Sequence, residues 1–75
     1  MVIVVFRKET DKLASVCIET FKSTAAAKKH IEEDAAHFLQ KHNGVDLGWI
    51  KPNTLDYYCI ETFAGVKCYW QYFEI

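Results

Sequence analysis

The residues of this 75-residue chain that could do chemistry are three histidines, three cysteines and ten acidic side chains. His30, Asp34 and His37 fall at i, i+4 and i+7, on one flank of an expected helix, with Glu33 close by. Two imidazoles and a carboxylate are zinc-ligand types. The H-E-x-x-H spacing is absent, however, and no fourth ligand is evident, so the expectation is a solvated helix side with ordinary pairs and no metal. Cys17, Cys59 and Cys68 are odd in number and lack CxxC spacing. A disulfide framework is therefore not expected, and a reducing, cytoplasmic compartment fits best. In strands such thiols behave as small hydrophobes. A catalytic thiolate needs an electropositive, partly open site with a base beside it, and the sequence shows none.

The pentapeptide CIETF occurs twice, at Cys17–Phe21 and Cys59–Phe63. The plain reading is two strands with the same in/out pattern; a duplicated hairpin is the alternative, although the flanking residues do not match. If the two strands were neighbours, Glu19 and Glu61 would share a surface, as the carboxylate pair of a glycosidase does. A chain this short leaves little room for a sugar cleft, so solvent-facing glutamates are expected. Neither GxGxxG nor GxxxxGK[ST] is present to cradle a phosphate, and any chain yields a Ser/His/Asp set on paper. The expectation is a protein that is not an enzyme and carries no cofactor. Arg7, Lys8 and Lys12 cluster near Phe6, yet nine Lys+Arg stand against ten Asp+Glu, a net charge of -1. That balance lacks the basic footprint of nucleic-acid binding, which is not expected.

Elements follow from residue pattern. Met1–Arg7 is β-branched and apolar on both parities, a strand buried on both faces. It is far too short for a membrane span and lacks a signal-peptide plan. After a polar turn at residues 8–12, Leu13–Lys22 forms the second strand of a hairpin. Ser23 supplies a helix cap, followed by a segment rich in Ala, Lys and Glu. On a 100° wheel Ala27, Ala35, Phe38 and His42 lie within about 40° of Ile31, with Leu39 on the flank. Ile31 and Phe38 are the expected core residues, and Asn43-Gly44 a left-handed terminator. Residues 45–56 read as an irregular loop broken by Gly48 and Pro52, with Trp49 either anchoring a partner or plugging the core. Tyr57–Phe63 and Val66–Ile75 are strands joined at Ala64-Gly65.

The order is β-β-α-β-β. The expected fold is a single α+β domain over residues 1–75, a two-layer sandwich with a four-stranded antiparallel sheet and one helix on one face. One helix covers one face only, yet the strands are apolar on both parities. The uncovered face calls for the 45–56 loop or another chain. Aromatics suit such an interface. Trp49, Tyr57, Tyr58, Tyr69, Trp70 and Tyr72 are the candidate interaction residues, serving a protein partner or a homodimer. The alternative is a small-ligand, metal or nucleic-acid binder built on the aromatic face.

The stretch Phe21-x-Ser23-x3-Ala27-x3-Ile31-x2-Asp34, followed by an aromatic YYxI strand, resembles short accessory proteins of phages and mobile elements, including anti-CRISPR proteins. The match covers about a third of the chain. The resemblance implies one small α+β domain without catalytic residues that inhibits a host machine by occupying its surface. The near-neutral charge departs from the strongly acidic DNA-mimicking members.

Overall fold

The computed structural model describes residues 1–10, 12–50 and 57–75. Five strands and one helix run in the order β1 (Val2–Glu9), β2 (Ala14–Phe21), α1 (Thr24–Lys41), β3 (Gly44–Ile50), β4 (Tyr57–Thr62) and β5 (Lys67–Glu74). The strands form one antiparallel sheet, ordered β2-β1-β5-β4-β3. The α+β, two-layer expectation holds, but the sheet has five strands rather than four. The added strand is β3, in a segment expected to be irregular; residues 51–56 of that segment, with Pro52, lie outside the described residues.

β3 was hidden because it is interrupted. Its register with β4 slips between Asp46 and Gly48, and Gly48 takes φ +69. A bulge of this kind inserts one residue, here Leu47, and so inverts the in/out alternation that marks a strand. The Asp46 carboxylate steadies the bulge by accepting the Gly48 N–H at 2.9 Å.

Helix α1 starts as its sequence dictates. Ser23 is extended, and its hydroxyl oxygen accepts the Ala26 N–H at 3.2 Å, satisfying one of the free donors of the first turn. The ending differs from expectation. His42 is extended (φ -132, ψ 130) and donates its N–H to Phe38 O, while Gly44 has no positive φ. The constraint on Gly44 is close packing. A Cβ there would meet Glu61 O at 2.7 Å and Thr62 Cα at 2.9 Å across the β3–β4 ladder. In the β4–β5 turn Gly65 does use its freedom, with φ +87, and donates to Thr62 O at 3.1 Å.

Between helix and sheet sit Val2, Val4, Ala27, Ile31, Ala35, Ile60, Cys68 and Trp70, all buried. The helix therefore contributes two alanines and Ile31. Phe38 packs on the core margin as a half-buried side chain, not as a core residue equal to Ile31. Small residues at 27 and 35 let the helix lie close to the sheet, which brings the indole of Trp70 under Phe38. Those two rings meet edge-on at 6.3 Å.

Candidate interaction surface

The register assigns each aromatic to a face, because directly paired residues of antiparallel strands point the same way. Trp70 pairs with Phe6 on one side and Tyr58 on the other, and Tyr58 pairs with Trp49. This row faces the helix. Trp70 is 1% exposed, its ring 4.8 Å from Phe6 and 6.0 Å from Tyr58. Its indole N–H donates to Asp34 Oδ2 on the helix at 3.0 Å. Trp49 packs edge-on to Tyr58 and Tyr72 at 5.3 and 6.0 Å, and the Lys28 ammonium lies 5.5 Å from the Tyr72 ring. Trp49, Tyr58, Trp70 and Tyr72 thus form an aromatic layer beneath α1. Trp70 in particular is a core side chain and is withdrawn from the set of interface anchors. The Tyr58 hydroxyl donates to Asp46 Oδ2 at 2.8 Å. Burial first, then that bond and the negative charges of Asp46 and Glu32, push its pKa up to about 12.

Tyr57 and Tyr69 are on the opposite face, their rings 6.0 Å apart. This helix-free face is readable row by row. Ile18, Val5, Gln71, Tyr57 and Ile50 lie in one rung across all five strands, and Thr20, Ile3 and Phe73 in the next toward one end. Toward the other end come Val16, Arg7, Tyr69 and Cys59. Arg7 is already occupied: it lies 2.8 Å from Glu9 and 4.8 Å over the Tyr69 ring. The two rungs without Arg7 contain no charged residue. Around them the large side chains Val16, Ile18, Met1 and Ile75 are exposed by 56, 64, 72 and 78%. Sequence reasoning identified an uncovered apolar face but placed Trp70 and Tyr72 on it. Residues it left out, Ile3, Val5, Ile18 and Phe73, make up much of it. Strand order was the missing signal.

The chemical constellations disperse. Cys17 pairs with Phe6 on the helix side, whereas Cys59 pairs with Tyr69 on the other. The two CIETF copies therefore have opposite in/out phase, which overturns both the shared pattern and the duplicated hairpin. Glu19 and Glu61 lie on opposite faces and cannot act as a carboxylate pair. Asp34 is held by the indole, and His30 Nε2 lies 3.5 Å from Glu19 Oε2. Cys17, Glu19, His30 and Asp34 do line one cavity of about 170 Å³ between β2 and α1. Among the described residues the Cys17 thiol makes no hydrogen bond to the imidazole, and no three potential ligands gather as a metal set. Burial pushes the Cys68 thiol up to about 11 and raises Cys59, which keeps both protonated near neutrality.

A larger cleft of about 380 Å³ opens at the helix C-terminus, lined by Lys8, Phe38, Lys41, His42, Thr62 and Phe63. Its cations sit beside the negative end of the helix dipole, which offsets their pull on an anion. Among the described residues no helix is long and apolar enough to cross a membrane. Comparison with protein families, curated proteins and solved structures finds no match for this chain.

Proposed function

We propose that this chain is a small non-catalytic protein-interaction module whose working surface is the helix-free face of the sheet. The observation that carries this reading is the pair of charge-free rungs through Val5 and Ile3, which include Tyr57 and Phe73, adjoin Tyr69 and are left uncovered by α1. A contiguous apolar face with Tyr at its margin is what protein interfaces use, since the ring buries area while the hydroxyl stays wet. Occupying the surface of a larger assembly, and so inhibiting it, is the mode of action that fits an apolar face on which the described residues form no reactive centre. Catalysis lacks support from the side chains. The two buried thiols are held protonated, the carboxylates of the repeat diverge, and among the described residues Cys17 has no base in hydrogen-bond contact. The six aromatic candidates are also a poor nucleic-acid platform, because four of them lie beneath the helix and Arg7 is paired with Glu9.

Site-specific photo-crosslinking in the source cell tests this reading. A benzophenone side chain at Tyr69 or Phe73 should give a discrete protein adduct. The same group at Glu33 or Lys29, on the outer side of α1, should give none. Adducts only from the helix positions would overturn the assignment.

A further inference from the structure

We propose that two copies of this chain associate about a twofold axis by antiparallel pairing of β2 with β2, joining their sheets into one of ten strands. This goes beyond the face described above, since it concerns the sheet edge rather than the sheet surface. β2 is an edge strand, and among the described residues no other strand lies on its outer side. Proteins blunt such edges with Lys, Pro, a bulge or a covering segment. β2 has no Pro, no Lys and no register shift over its eight residues. Its single charge, Glu19, is turned toward His30. Val16 and Ile18, the apolar residues of its other side, are 56 and 64% exposed.

The opposite edge differs in one respect, its backbone; β3 also lacks Lys and Pro, and its Val45 and Leu47 are each 47% exposed. β3 is bent by the Asp46–Gly48 bulge and carries Asp46 on its helix side. That asymmetry selects the symmetry. Pairing β2 with β3 of the next copy would run on as an open filament and is opposed by the bulge, whereas β2 with β2 closes after two copies.

Charge removes the axis at Glu19, which would set that carboxylate against its copy, and apolar matching selects among the rest. A twofold normal to the sheet keeps both helices on one side and must pass through a residue. With the axis at Ile18, Ile18 faces Ile18, Val16 faces Thr20 and Cys17 faces Glu19 of the second copy. No like charges then oppose one another, and the Ile18 pair extends the apolar rung of Val5. With a net charge of -1 the copies repel little. An edge contact of this length buries less than the standard ~800 Å² per partner, so weak, concentration-dependent dimerisation is expected.

Sedimentation equilibrium from about 1 μM to about 1 mM reads the mass, spanning the expected range of dissociation. The expected result is a shift from 8.7 kDa to twice that mass. Ile18→Lys should weaken the dimer at least about tenfold while leaving the thermal melt of the monomer unchanged, because Ile18 is exposed. Val45→Lys on β3 should leave the dimer intact. A short bismaleimide should join the copies through Cys17, the exposed thiol of the three. A monomer at about 1 mM, or a dimer indifferent to Ile18→Lys, overturns the proposal. The protein-binding face can survive that result, since its crosslinks are scored at Tyr69 and Phe73.

Discussion

Trp70→Phe, made alone and together with Asp34→Ala, asks whether the indole is a structural tie between sheet and helix. Phe retains a ring against Phe6 and Phe38 but loses the second ring of the indole and its N–H. The lost atoms leave a void in a site that is 1% exposed; by the usual cost of truncating core side chains, this removes about 1–2 kcal/mol. The bond to Asp34, 3.0 Å long, is to a carboxylate, and such bonds contribute about 1.5–3 kcal/mol when shielded. Asp34 is exposed, so the lower end applies, and Trp70→Phe should cost about 2–4 kcal/mol in total. A chain of this length has roughly 4–11 kcal/mol of stability to lose, so the variant stays folded and measurable unless the parent lies at the foot of that range. Asp34→Ala should cost about 1 kcal/mol by leaving the indole N–H without its partner. The double variant should show about 1 kcal/mol of coupling. Urea unfolding followed by circular dichroism at helix wavelengths measures all four corners. Coupling below about 0.3 kcal/mol would refute the tie. So would a Trp70→Phe variant as stable as the parent but impaired in association, which would return Trp70 to the surface.

Ile31→Ala should cost about 3–4 kcal/mol and Phe38→Ala clearly less, because only Ile31 is fully enclosed; equal losses by chemical denaturation would reverse the helix phase. Gly44→Ala should destabilise by about 1–3 kcal/mol through the contact with Glu61 O, read as a lowered melting temperature, and an unchanged melt would remove the close approach. Ser23→Ala should cost about 1 kcal/mol, with Ser23→Asp restoring most of it. Tyr58 has a folded pKa above its unfolded value, so its contribution is whole below pH of about 10 and declines as pH rises toward about 12. Tyr58→Phe should flatten that part of the stability–pH curve, and an unaltered curve would detach Tyr58 from it.

Local physics made some of this legible and topology hid the rest. The β1–β2 hairpin, the Ser23 cap and the Gly65 turn are written in nearby residues, and each appears where the sequence places it. The β1–β5 pairing is a contact between distant segments with no local signature, and it decides which parity of β5 faces the helix. Both parities are aromatic, so the sequence could not tell that Trp70 lies inside and Tyr69 outside. β3 was lost for a different reason: one inserted residue cancels the period of two by which strands are recognised. The CIETF repeat misled in the same way, since identical pentapeptides were placed in opposite phase by the registers around them.

Consider finally the central position of β1, held between β2 and β5, with Ile75 N–H reaching Met1 O at 2.9 Å. On a ribosome β1 emerges before α1, β3 and β4, and its inner neighbour β5 follows only after all of them. Until β5 arrives, Val2, Val4 and Phe6 are presented on a hairpin that no layer closes. Contacts so distant along the chain make folding slow and expose nascent intermediates to aggregation. Cooperative closure must wait for the far strand, so a nascent chain stalled before Lys67 should be the species that chaperones and proteases encounter.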